Sequence, residues 1–137
     1  MEAFLRTLQQ AGVALLVDVR AVASSRRPGF SKSRLAGNLA EQGIGYVHLR
    51  DLGTPAAGRA AARSGAHARM RSIFRRHLAS HEAQAGLNEL EELVRGGRRV
   101  CLLCFEADPA HCHRTLVAEA LAERLPVEIQ HLHIMDD

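Results

Sequence analysis

An α/β fold, arranged as a single three-layer domain with a mainly parallel central sheet flanked by helices, is predicted for this chain by three observations. Short apolar runs of strand length recur along it: "VALLVDVR" at 13–20, "IGYVHL" at 44–49 and "RVCLLCFE" at 99–106. The segments between them carry apolar residues at helical spacing, and strands that alternate with helices pair in parallel. The length, 137 residues, suits one domain with a core of its own.

In chain order, "EAFLRTLQQAG" reads as a short helix, with Phe4, Leu5 and Leu8 on one face and Gly12 as its stop. "VALLVDVR" is apolar throughout until Asp18 and Arg20, as befits a parallel strand buried on both faces. "AVASSRRPGF" is a loop turning at Pro28-Gly29. Ser31 or Ser33 can cap the next helix, which runs to about Gln42 and closes at Gly43. "IGYVHL" is the second strand. Leu52 to Gly65, rich in Ala, Gly and Arg, is expected to be a loop, with a flexible excursion near 53–66. Met70, Ile73, Phe74 and Leu78 form a helical stripe over about 67–80, and Leu87, Leu90 and Leu93–Val94 another that ends at Gly96-Gly97. "RVCLLCFE" is the third strand, "HCHRTLVAEALAERL" at 111–125 a helix, and "VEIQHLHI" at 127–134 a terminal strand.

Hydrophobic residues make up 47% of the chain and charged residues 24%, the proportions of a globular rather than a disordered protein. The longest apolar run is too short for a membrane span and contains Asp18. No N-terminal stretch has the layout of a signal peptide, so a cytoplasmic protein without membrane partners is expected. Three cysteines, an odd number, argue for free thiols, metal ligands or small buried residues rather than a disulfide framework.

The net charge of +3 is unevenly spread. From Arg20 to Arg76, eleven arginines and one lysine stand against two acids, giving +10. From His77 to Asp137, five arginines stand against eleven acids, giving −6. A basic half of this kind suits an anionic partner, a nucleotide or a nucleic acid. Two plainer accounts compete with it: the fold can bring the halves together and cancel the field, and arginine over lysine, beside so much alanine, can reflect genome composition.

"CFEADPAHCHR" at 104–114 concentrates the reactive side chains. Asp108 as N-cap and Pro109 at the first helical position mark a strand-to-helix join. Cys112 and His113 then fall near the first turn, where the helix dipole favours a thiolate. With about 100° per residue, Leu116, Val117, Ala120 and Leu121 define the buried face, His113 sits at its middle, and Cys112 and Arg114 lie at its edges. In open parallel sheets ligands bind beyond the carboxyl ends of the strands. That rule selects Asp18 with Arg20, His48 with Arg50, and this stretch. The expected catalytic residues are Glu106, Cys112 and His113, for proton handling and nucleophilic work. Asp18, Arg20, Ser25, Arg26 and Arg114 are the expected substrate-binding residues.

Plainer readings stand beside these. Cys101 and Cys104 can be core residues, Asp108 a cap, and Asp18 with Arg20 an internal ion pair. His131 and His133, like His77 and His81, read as surface. A zinc site made of Cys104, Cys112 and a histidine is disfavoured: Cys101 and Cys104, three apart in a strand, point to opposite faces, and no second C-x-x-C exists. A phosphate-cradling cysteine loop is disfavoured by Glu106 and Asp108, which would repel a dianion. No metal and no cofactor are therefore expected.

"LLVDVR", "SSRRPGFSKSRL", "GIGYVHLRDLG" and "LLCFEADPAHCHRTLVAEAL", in that order and spacing, resemble the small, mainly bacterial proteins grouped as domain of unknown function 488. The likeness runs from about Phe4 to Ile134. The signature positions that it implies are Asp18, Arg20, Ser25, Pro28, Phe30, Leu52, Gly53, Cys104, Glu106, Pro109, Cys112, His113 and Arg114. No reaction comes with the family. Its members usually begin with a strand bearing Thr-Ile-Gly-His-Ser, whereas this chain starts at Met1 already within the first helix. The resemblance thus implies a sheet lacking its first family strand, with an open edge or apolar face that favours a homo-oligomer.

Three functions are compatible with these residues. The first is an enzyme acting on a phosphate-bearing or nucleic-acid-derived substrate in the crevice at the sheet's carboxyl edge. The second is a non-catalytic nucleic-acid-binding module that uses the arginine-rich half, although four Phe and one Tyr offer little platform for base stacking. The third is a thiol or sulfur-transfer enzyme that uses Cys112.

Overall fold

The computed structural model describes residues 1–104 and 112–134. Helix α1 (Glu2–Gln10) leads to strand β1 (Leu15–Asp18), α2 (Lys32–Glu41) and β2 (Gly45–His48). A single 3-10 turn (Arg50–Leu52) precedes α3 (Ala56–Arg63), α4 (His67–Leu78) and α5 (His81–Arg95), then β3 (Val100–Leu103) and α6 (His113–Ala122). The three strands form a parallel sheet in the order β2-β1-β3. The α/β architecture expected from the strand-and-helix alternation is therefore present, with helices covering both sheet faces.

Strand β1 explains why. As the central strand it is buried at every position, and alternate side chains leave it in opposite directions. Leu15, Val17 and Val19 enter one core with Met70, Phe74, Leu87, Leu90 and Val117 from α4, α5 and α6. Leu16 enters the other core with Phe4 and Leu8 of α1 and Leu35 and Leu39 of α2. Each such side chain, fully buried, contributes about 1.5–3 kcal/mol, so a short strand holds together two layers. Gly12 (φ 71°) and Gly43 (φ 73°) end α1 and α2 in the left-handed region just before strands begin. Both stops are where the sequence places them.

Three expectations are corrected. The segment expected as a loop contains helix α3, because alanine is the strongest helix former and Gly58 and Ala61 pack inward against neighbours that include Thr54 and Ile73. Residues 127–134 form no strand; this segment runs along the side of the sheet beyond β3, outside the ladder. Helix α6 starts at His113 rather than near 109–111, with Cys112 as its N-cap in extended conformation (φ −120°, ψ 138°). Asp108 and Pro109 lie outside the described residues. No helix among the described residues is long and apolar enough to cross a membrane.

One close approach ties the 3-10 turn to the loop after β1. A Cβ on Gly53 would press into the Ala21 backbone, although Gly53 itself has an ordinary extended conformation (φ −80°, ψ 160°). Gly53→Ala is accordingly expected to cost about 1–3 kcal/mol or more through overpacking. A lowered urea midpoint with unchanged m-value would report it; a midpoint equal to that of the parent would show that the Ala21 backbone yields freely.

Candidate functional site

The carboxyl end of β1 is built around a buried ion pair. Asp18, the last residue of the strand, is 0% exposed, and Arg20 is 2% exposed. Asp18 accepts a two-pronged bond from the Arg20 guanidinium, at 2.8 Å from Nε and 2.6 Å from Nη2, and a third from the Arg20 backbone N–H at 3.1 Å. The Tyr46 hydroxyl on β2 donates a fourth, at 2.6 Å. Burial alone would lower the Arg20 pKa, but the hydrogen bond and charge of Asp18 outweigh it and the net shift is upward. Burial, and then the donation to Asp18, push the Tyr46 phenol well above its ordinary value. Arg20 and Tyr46 therefore both keep their protons near neutrality.

Two imidazoles dock on the same turn. His48, on β2, donates Nε2–H to the Arg20 carbonyl at 2.7 Å, and His113, on α6, donates Nε2–H to the Val19 carbonyl at 2.7 Å. A carbonyl can only accept, so these bonds put the proton on Nε2 in each neutral ring. The lone pair of His113 is then on Nδ1, 4.0 Å from Cys112 Sγ. The ring also packs on Phe74, centroids 5.1 Å apart. Burial lowers the His113 pKa to about 4, with the nearby charge of Arg114 acting in the same direction.

The sulfurs meet here as well. Cys104 follows β3, Cys112 caps α6, and the two form a disulfide with Cα atoms 7.0 Å apart. This corrects the expectation that no cysteines would pair: the strand-to-helix join brings together two residues that composition alone keeps apart. Both sulfurs also accept hydrogen bonds from Arg114, Cys112 from its backbone N–H at 3.4 Å and Cys104 from Nη1 at 3.3 Å. Cys101 lies in the opposite layer, and burial raises its thiol to about 11, which keeps it protonated. Cys104, Cys112 and His113 place one ligand atom each within 4.8 Å of one another and are the residues here able to hold a metal.

A cavity of about 780 Å³ opens beside this cluster. Arg20, Ser25, Arg27, Cys104 and Arg114 lie on its wall, which continues along β3 past α1 and the 127–134 segment. Ser25 Oγ accepts the Arg27 backbone N–H at 3.1 Å, and the Arg27 guanidinium sits over the Phe30 ring, 4.8 Å from its centroid. Of the residues expected at the site, Asp18, Arg20, Ser25, Cys112, His113 and Arg114 converge on this region. Arg26 is exposed and outside the cavity wall, where Arg27 stands instead. Glu106 lies outside the described residues. Tyr46 escaped the sequence reading. Its signal was available: a tyrosine two positions before the end of a strand needs a partner for its hydroxyl, and the neighbouring strand ends in an acid.

Removing the acid while retaining the cation separates charge from shape. Asp18→Asn leaves Arg20 buried without its counter-charge and is expected to cost about 3–5 kcal/mol; Tyr46→Phe removes one of four bonds and should cost nearer 1–2 kcal/mol. Chemical denaturation of both variants checks the order, and equal losses would mean that the ion pair is not what holds this turn. His113 sets the pH dependence. Between its ordinary pKa of 6.5 and about 4, the unfolded chain takes up a proton that the native ring refuses. Its contribution is thus complete above pH 6.5 and falls as the pH drops towards 4, by about 3 kcal/mol in all. His113→Gln should flatten a stability profile recorded over that window; a parallel profile would show that another group titrates there.

Among the comparisons, no curated protein and no solved structure matches this chain. The model of the family described as "Domain of unknown function DUF488" matches residues 1–121. That match covers most of the 137 residues and takes in the ion pair, both imidazoles, the cysteine pair and Arg114. The chain belongs to the DUF488 family.

Proposed function

We propose that the chain is an enzyme acting on a phosphate-bearing or nucleic-acid-derived substrate held in the crevice at the carboxyl edge of the sheet. The observation that carries this reading is the presence of the Arg27 and Arg114 guanidinium groups on the wall of a cavity that also reaches Cys104. The cavity, about 780 Å³, has the size of a small-molecule site. Arginine offers a planar fork to phosphate oxygens. Arg27 is steadied by Phe30 and Ser25, and Arg114 by the first turn of α6. Asp18, Arg20 and Tyr46 are assigned the support of this wall, with Arg20 available to it only as a neutralised partner of Asp18. His113, neutral at pH 7, can accept a proton or give its lone pair to a metal at Nδ1 but has no proton there to donate. Proton donation then falls to Glu106, by its place in the sequence.

A second reading is favoured by one observation. The α3–α4 hairpin exposes Arg63, Arg69, Arg75 and Arg76, and no acid occurs between Asp51 and Glu82. A nucleic-acid backbone would suit that face.

Titration with a nucleotide panel, single-stranded DNA, duplex DNA and RNA over a salt series tests both. The enzyme reading expects saturable binding of a small nucleotide, weakened about 10-fold or more by Arg27→Ala or Arg114→Ala, as for the loss of a charged hydrogen bond. It also expects no change from a combined Arg69→Ala, Arg75→Ala, Arg76→Ala variant. Polymer binding that falls steeply with salt and depends on that triple variant alone would replace it with the second reading. Absence of binding throughout overturns both.

A further inference from the structure

We propose that Cys104, Cys112 and His113 form a three-ligand site for a zinc-type divalent metal ion, with its fourth position turned towards the arginine-lined cavity. The three ligand atoms, all on buried residues, already lie within 4.8 Å of one another. They come from the end of β3 and the start of α6. The objection drawn from sequence, that Cys101 and Cys104 point to opposite faces, holds for that pair and leaves this trio untouched.

Four features point to a metal rather than to chance proximity. The first is the orientation of His113. Its Nε2–H is tied to the Val19 carbonyl at 2.7 Å, which directs Nδ1 to the sulfurs. A ligating histidine almost always anchors its other nitrogen in this way. The second is the donors on sulfur. Arg114 reaches Cys112 through its backbone N–H and Cys104 through its guanidinium, and positive donors favour the thiolates that ligate metals. The third is spacing. A Cα separation of 7.0 Å is at the outer limit for a disulfide, usually about 4.4–6.8 Å. Two thiolates on one ion, with Zn–S of about 2.3 Å, stand roughly 3.8 Å apart in a tetrahedron, wider than two bonded sulfurs. The fourth is charge. Two thiolates and one M²⁺ sum to zero, so Arg114 adjoins a neutral centre rather than a second cation.

Soft thiolates with an imidazole select zinc over magnesium or calcium. Among the described residues three protein ligands are offered, and a site with three protein ligands keeps a position for water or for a substrate oxygen, as catalytic zinc does. Of the three ligands Cys104 lies on the cavity wall, together with Arg114, so the site adjoins the cavity through that sulfur. Action as a Lewis acid on a phosphate ester rests on the substrate reading above; uptake of the ion does not. Loading needs the dithiol: a phosphine reductant opens the Cys104–Cys112 disulfide and is itself oxidised to the phosphine oxide, with its oxygen from water. One M²⁺ then displaces two protons, one from each thiol.

The test is metal binding to the full chain, reduced with a phosphine, stripped with a chelator and dialysed. Titration with Co²⁺ should give one equivalent per chain with sulfur-to-metal absorption in the near ultraviolet and visible bands of a tetrahedral ion. Zn²⁺ should then displace it and raise the Tm. Cys104→Ser and Cys112→Ser should each weaken Zn²⁺ binding by more than about 100-fold, beyond the 10–100-fold typical of changes around the ligands. His113→Gln should remove the tetrahedral spectrum, whereas Cys101→Ser should change nothing. Circular dichroism of each metal-free variant checks that it is folded, and alkylation of both thiols in the parent chain repeats the test without mutation. Absence of Co²⁺–thiolate absorption in the reduced parent overturns the proposal. So does binding that survives alkylation. Neither outcome involves a nucleotide, so the substrate reading stands or falls separately.

Discussion

A carboxylate with no exposure at the end of the central strand is the constraint from which the site follows. Asp18 could not remain charged there alone, since an isolated buried ion costs far more than folding can supply. Arg20, only two residues on, supplies the counter-charge, and the resulting ring of bonds forces the chain to turn sharply after β1. That turn presents the Val19 and Arg20 carbonyls sideways, each in need of a donor. His113 and His48 supply the donors from α6 and β2. The ion pair thus fixes the path of the chain, and the path fixes two imidazoles. One of them sits beside the cysteines. Gly53, passing against the Ala21 backbone, leaves the turn no room to relax.

Much of this was legible from periodicity. The three apolar runs became the three strands, and the helical wheel put His113 at the middle of the buried face of α6, where it lies at 8% exposure. The carboxyl-edge rule brought Asp18, Arg20 and Arg114 to one place. Legibility failed where tertiary contact decides. An Ala/Gly/Arg stretch does not reveal that Gly58 and Ala61 pack inward to make α3. "VEIQHLHI" has the alternation of a strand but no partner in the sheet. Arg26 and Arg27 are indistinguishable in sequence, and only the Phe30 ring beneath Arg27 separates them. The cysteine pair was missed for a different reason: in the sequence Cys104 and Cys112 group as candidate metal ligands, but an odd cysteine count and the lack of a signal-peptide pattern speak against a disulfide, whereas proximity in the fold pairs them.

The charge pattern is a weak guide to the crevice. Of the twelve basic residues between Arg20 and Arg76, Arg20 is neutralised by Asp18 and Arg27 reaches the cavity wall. The exposed arginines of α3 and α4 lie elsewhere on the sequence and the surface. The crevice also draws Arg99 and Arg114 from the half of the chain that is acidic overall. Local geometry rather than net charge therefore selects the groups that meet a ligand, and the +10 of the basic half speaks to a separate face.

The state of the two sulfurs decides what the crevice can do. Bonded to each other, they carry no charge and offer no thiolate, and the wall presents donors such as Arg27, Arg114 and Ser25 to an anion. As thiolates beside the His113 lone pair, they become a compact, dianionic ligand set facing the same cavity. The Val19 carbonyl holds the imidazole in one tautomer in both states, and the Asp18–Arg20 pair holds that carbonyl. The Arg114 donors suit either a thiolate or a metal-bound sulfur. Donation to the Val19 carbonyl uses only Nε2 of His113 and leaves Nδ1 facing the sulfurs. The orientation of that ring is what makes the cluster read as a ligand set.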